Sequence, residues 1–211
     1  MKKVFSILAV AVAMLAFGNA QAQNLSVNIG YAPQTSNTTT TVLGNSTKSS
    51  TDMTGFFAGV TYNSPITRNF GVAFGLQGRY NFKTITNTLL SATQTVKHTQ
   101  ILIDVPVLLN FGIQLGNDSR LSVFAGPALS FALKGNTNTS ENMLNTSNDL
   151  NWYGENSNNQ QLDLMGAAGV AFQFRTLRLF GGYRMGFLDL DKRDNVKTTN
   201  SGLFVGLGYV L

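Results

Sequence analysis

Residues 70–82 read FGVAFGLQGRYNF. Large apolar side chains stand at Val72, Phe74, Leu76, Tyr80 and Phe82, with Gly75, Gln77, Arg79 and Asn81 between them. Side chains along an extended strand point alternately to opposite faces, so this stretch is a ribbon with one greasy side and one small, polar side. The alternation outlasts the roughly five or six residues of an ordinary strand. It reaches the length that a tilted strand needs to cross a bilayer.

Working outward from it, the same pattern recurs seven more times, over 24–34, 51–63, 98–114, 120–133, 161–174, 177–188 and 200–211. In 98–114, Ile101, Ile103, Val105, Val107, Leu109 and Phe111 alternate with His98, Gln100, Asp104 and Asn110. In 200–211, Leu203, Val205, Leu207, Tyr209 and Leu211 alternate with glycines at 202, 206 and 208. The connections alternate as well. Four are long and polar (35–50, 83–97, 134–160, 189–199) and three are short (64–69, 115–119, 175–176).

Composition says where such ribbons live. Charged residues make up 12% of the chain, about half the usual share of a soluble protein, while the apolar fraction is an ordinary 43%. The chain opens with Lys2 and Lys3, an apolar run over 4–17 and an Ala20-Gln21-Ala22 cleavage site, the layout of an export signal. The expected domains are therefore a signal peptide over 1–22 and a barrel over 23–211. An exported chain that must meet lipid without an apolar helix has one other spanning form, a closed barrel.

The predicted fold is all-β, an eight-stranded antiparallel up-and-down transmembrane β-barrel in the cell outer membrane. Long loops would be extracellular and both termini periplasmic. The soluble rival, a ligand-binding barrel with an apolar lumen, would need the greasy face inside and charges outside. That arrangement would crowd eight strands and leave Arg79, Asp104, Asp163 and Arg184 on a glycine-rich exterior.

The segments 101–111 (ILIDVPVLLNF) and 123–131 (VFAGPALSF) resemble the PorT-like outer-membrane β-barrel family, in which an acidic-x-Pro-apolar strand precedes a Gly-Pro strand. The resemblance implies a small eight-stranded barrel of the Gram-negative envelope. The family's namesake is associated with a protein-secretion system.

Three groups of residues stand out. Arg79, Asp104, Asp163 and Arg184 fall on the inward face, where eight strands leave a space that side chains fill. Buried charges need partners, so an ion-pair plug is the structural reading, with a proton or small-ion path as the alternative. Lys83, Lys97 and Lys134 lie at strand–loop junctions, where they could bind lipopolysaccharide phosphates or simply stay solvated. Trp152 and Tyr153 sit together in an Asn-rich loop, either contacting a partner or packing over the barrel mouth.

Other chemistry finds little support. One histidine, His98, and no cysteine leave no metal cluster or thiol pair to build, and no serine carries a nucleophile motif. No cofactor, no metal and no enzymatic activity are expected. Without Lys2 and Lys3 there are 13 basic and 10 acidic residues, a net charge of +3 spread over the connections, so no nucleic-acid partner is expected. The expected partners are outer-membrane lipid and lipopolysaccharide, the barrel-assembly machinery during biogenesis and an envelope protein. The functional expectation is a non-enzymatic barrel with a filled lumen, structural, loop-presenting or contacting lipopolysaccharide. The alternative is an envelope transport component, a narrow porin or an accessory subunit of secretion.

Overall fold

A computed structural model describes residues 25–89, 92–141, 146–153 and 157–211. The export signal expected over 1–22 and its cleavage site lie outside the described residues. Ten strands form one antiparallel sheet: β1 (Leu25–Tyr31), β2 (Gln34–Val42), β3 (Asn45–Pro65), β4 (Phe70–Leu89), β5 (Ala92–Gln114), β6 (Ser119–Glu141), β7 (Thr146–Asn151), β8 (Leu162–Phe174), β9 (Leu177–Gly186) and β10 (Val196–Val210). The ring closes because β10 pairs β9 on one side and both β1 and β2 on the other.

Ten strands make eight staves. β1 and β2 share one register against β3, with Tyr31 opposite Phe56 and Gln34 opposite Met53. They also share one register against β10, where Tyr31 faces Val205 and Thr35 faces Ser201. Only Pro33, which has no N–H to give the ladder, interrupts them. Ala32 beside it still donates its N–H to the Gly55 carbonyl at 2.7 Å. β7 pairs β6 alone and stands outside the ring.

The alternation read from the sequence sets inside and outside. Ile29, Phe56, Tyr80, Leu109, Phe111, Val170, Leu203 and Leu207 are exposed, whereas Ser26, Asn28, Asn81, Ser130 and Arg79 are buried. In water this inversion would forfeit about 25 cal/mol for every Å² of apolar surface left wet, so the exterior is built for hydrocarbon. At the hairpin end of that exterior, Tyr31, Phe56, Phe82 and Tyr80 form a run of ring contacts 5.5 to 6.3 Å apart. Aromatic residues at this height are the girdle of a membrane barrel.

Three features depart from the sequence reading. Much of the four long connections is β-structure. β2 with β3 over 34–53, β4 with β5 over 83–89 and 92–97, and β6 with β7 over 136–141 and 146–151 continue their pairing past the girdle. Thr, Ser and Asn dominate both faces there, so no apolar alternation marks them, yet the ladder satisfies the backbone and Thr suits a strand. Inside the barrel, Phe57 and Phe124 are buried, and they join Phe180 and Phe204 through ring contacts of 6.0 to 6.4 Å. This apolar cluster occupies a lumen expected to hold only glycine, polar groups and charges.

The third departure is a bulge. From Gln114 up to Leu102, β5 faces β6 in one register, and between Ile101 and Leu102 it shifts so that Lys134 faces Ile101 while Ala132 faces Leu102. The extra residue is Leu133. Facing residues of an antiparallel pair share a side, so Lys134 joins outward Ile101 and the inward face passes to Gly135 and Thr137.

Candidate functional site

The inward charges sit on β4, β5, β8 and β9, with β6 between β5 and β8. Arg79 of β4 lies one row from Asp104 of β5, and Ser130 of β6 is directly opposite Asp104. The guanidinium grips the carboxylate with both prongs, Nε to Oδ2 at 2.9 Å and Nη2 to Oδ1 at 3.1 Å. Ser130 Oγ donates to Asp104 Oδ1 at 2.5 Å and accepts from Arg79 Nη2 at 3.1 Å. Arg184 of β9 reaches the same carboxylate at 3.5 Å and donates Nη2 to the Ala32 carbonyl at 3.1 Å, at the break in the first stave.

An amide layer covers this cluster. Arg79 Nη1 donates to Gln34 Oε1 at 2.7 Å, and Asn81 Nδ2 donates to the same oxygen at 3.1 Å. Gln34 Nε2 in turn donates to Gln100 Oε1 at 3.2 Å. These inward amides had not been singled out in the sequence. Their signal was present, because each continues the inward alternation beside a charge.

The structure brings three of the four expected charges together and leaves one aside. Asp163, buried on β8, makes no ion pair among the described residues. Neither of its oxygens has a well-formed hydrogen bond, although the Leu188 N–H faces it. Arg184, on the next stave, turns to Asp104 and Ala32. The four-member plug is therefore corrected to a three-member cluster with Asp163 beside it.

Trp152 and Tyr153 close the hairpin end. Gln100 Nε2 donates to the Tyr153 hydroxyl at 2.7 Å, which ties the loop into the lumen network. Trp152 Nε1 donates to Thr137 Oγ1 at 2.8 Å, and the His98 ring lies 5.9 Å from the indole. Both aromatic rings cover Gly135, where an added Cβ would come within 2.7 Å of each. Burial raises the Tyr153 phenol above its ordinary value near 10; the Gln100 hydrogen bond and the Arg79 charge act the other way.

The three lysines separate. Lys97 is exposed and, like Ile101 four residues on, points outward. Lys134 is exposed and outward because of the bulge, in one row with outward Ile101 and Tyr80. Lys83 shares the inward parity of Arg79 and Asn81 and faces His98, so the expected lipid-side group of three is corrected to two. At the far end the lumen opens as a cavity of about 310 Å³ lined by Arg120 and Arg178, with the short turns around it.

A family model described as the outer membrane protein beta-barrel domain matches residues 19–192. The chain belongs to that family. No curated protein matches its sequence. Among solved structures this outer-membrane barrel is similar in shape to Neisserial surface protein A, at 12% identity and a TM-score of 0.46, with 89% of this chain and 97% of that one covered. It is also similar to the outer membrane protease OmpT of Escherichia coli (8% identity, TM-score 0.44, 90% and 98% covered). A third is the outer membrane enzyme PagL (9% identity, TM-score 0.36, 82% and 97% covered).

Two of these three are enzymes, and they overturn one expectation. The expectation of no enzymatic activity is therefore withdrawn.

Proposed function

We propose that this outer-membrane barrel has a closed lumen and works at its outer surface, holding lipopolysaccharide at the girdle and presenting its hairpins beyond the membrane. The Arg79–Asp104 cluster carries the reading. Its interlocked buried side chains, with the phenylalanine cluster toward the short turns and Tyr153 above, support a lumen filled by side chains. Between them lies a cavity of about 80 Å³ bordered by Asp104, Arg184, Phe57 and Phe124. By the space one water needs, that is room for a few molecules.

Orientation follows from length: long hairpins outside the cell, short turns and both termini in the periplasm. Lys97 and Lys134 then stand at the depth of the glycolipid phosphates, as point charges just beyond the aromatic girdle. The closer kinship with the PorT-like family, carried by segments 101–111 and 123–131, belongs to this reading. So do an envelope protein partner for the hairpins and handling by the assembly machinery.

The test is lipopolysaccharide retention by the purified barrel. The K97Q/K134Q variant is expected to retain about tenfold less, from two surface charges each worth up to about 1 kcal/mol. Equal retention removes the lipid-binding reading, and steady single-channel conductance removes the closed lumen. Labelling of intact cells by an impermeant maleimide fixes orientation. A cysteine replacing Lys48 is expected to react and one replacing Asn117 to stay unlabelled.

A further inference from the structure

The mouth at the short-turn end carries two cations with no carboxylate partner among the described residues. Arg120 opens β6 and Arg178 opens β9; both alternate with outward leucines and so point inward. Both line the 310 Å³ cavity. Among the described residues neither makes an ion pair or donates a hydrogen bond. The two guanidiniums lie close enough to repel each other. Asp118 is the one carboxylate lining the cavity, and it is held by Arg175 at 3.3 Å on the exposed rim.

Three further observations shape the site. The Arg178 guanidinium lies 5.9 Å from the centre of the Phe180 ring, a member of the phenylalanine cluster, and Arg178 borders both this cup and the 80 Å³ cavity further in. Asn63 Oδ1 and Asn110 Oδ1 line the same cup, buried and without a donor. Gly112 makes room for Arg120, because a Cβ there would lie 2.4 Å from the Arg120 Nε.

Two guanidiniums sharing a half-buried cup repel each other unless an anion comes between them. Their forked donors fit the oxygens of a phosphate. Orphaned amide oxygens fit the remaining group of a hydrogen phosphate or phosphate monoester, its P–OH, which needs an acceptor. We infer that the short-turn mouth is a binding site for a phosphate-bearing anion, gripped by Arg120 and Arg178 and donating a hydrogen bond from its P–OH to the amide oxygen of Asn63 or Asn110. Under the orientation proposed above the cup faces the periplasm, but binding itself does not depend on that orientation or on the lysines at the other end.

The experiment uses the full barrel in neutral maltoside micelles, titrated with inorganic phosphate, with arginine Nε–H resonances followed by NMR. Saturable shifts are expected at Arg120 and Arg178, and equal ionic strength of chloride is expected to leave them in place. R120Q and R178Q are each expected to weaken phosphate binding about tenfold, the worth of one charge-assisted hydrogen bond. K48Q removes one charge at the opposite end and is expected to change binding less than twofold.

The G112A variant keeps every charge and displaces Arg120, so it too is expected to bind phosphate more weakly. The heat-dependent gel shift of each variant reports that the barrel is folded. A second arm replaces phosphate with discs containing phosphatidylglycerol. Shifts in micelles with free phosphate identify a soluble anion, and shifts confined to the discs identify a lipid phosphate. No saturable shift in either arm overturns the inference, as does phosphate binding that survives R120Q/R178Q in a folded barrel. Because lipopolysaccharide is absent from both arms, failure here leaves the Lys97 and Lys134 reading untouched.

Discussion

Arg79 and Asp104 meet through two parallel contacts of 2.9 and 3.1 Å in the middle of the barrel, with Arg79 only 2% and Asp104 5% exposed. A buried pair of this kind adds little over an apolar pair of equal volume, but removing one partner strands the other. D104N leaves Arg79 and Arg184 without their shared counter-charge. It is expected to destabilise the barrel by about 3–5 kcal/mol. D163N removes a carboxylate that has no ion pair and is expected to cost at most about 1 kcal/mol. Urea unfolding of the two variants from lipid vesicles, followed by Trp152 fluorescence, checks the ordering. Equal losses would show that Asp163 is a full member of the cluster.

Gly206 faces the phenylalanine cluster, and a Cβ there would lie 2.6 Å from Phe180 Cζ and 2.8 Å from Phe57 Cζ. G206A is expected to cost about 1–3 kcal/mol through overpacking. The penalty is expected to shrink when Phe180 is also shortened, as in G206A/F180L, because the two changes act on one contact. Additive losses in the unfolding midpoints would place the strain in the backbone instead.

These two sites also show what the sequence discloses and what it conceals. The outward faces were legible because lipid demands an unbroken apolar row, so Val72, Phe74 and Leu76 declare themselves at every second position. The inward positions obey a looser rule. Phe57 and Phe180 fit inside only because Gly30 and Gly206 lie against them on neighbouring staves, and such a cross-strand match is invisible along one strand. Alternation placed the charges on the inward face yet could not choose partners among them. The hairpins were missed because water on both faces removes the periodic signal. Lys134 was displaced by one extra residue at Leu133, since a single bulge reverses every side chain beyond it. The amides Gln34, Asn81 and Gln100 could have been found from parity alone.

The first hairpin turns through Leu43 and Gly44, whose φ values are 49° and 82°. Two successive positive values match the tight turn that Asn-Gly favours. Leu43 is 99% exposed, so its side chain gains no packing in return for the left-handed backbone. L43N is expected to stabilise the hairpin by about 1 kcal/mol. Hydrogen exchange at Val42 and Asn45, the facing pair that flanks the turn, is the readout, because local opening is what the turn controls. Exchange that is unchanged or faster would contradict it.

Tyr153 allows a test by pH. Its phenol is raised above 10 chiefly by burial, with the Asp163 charge acting in the same direction. A raised value means that the folded state favours the neutral phenol. The contribution of this contact is therefore complete below about pH 10 and is lost as pH climbs from there through the folded value. Phenolate absorbance of the wild type minus that of Y153F isolates this one ring, and its titration is expected above pH 10. Trp152, whose indole donates to Thr137 next to the same glycine, is expected to change its fluorescence over the same interval as the cap lifts. If Tyr153 ionised at or below pH 10 the ring would be in water, and the lumen would be open at its hairpin end.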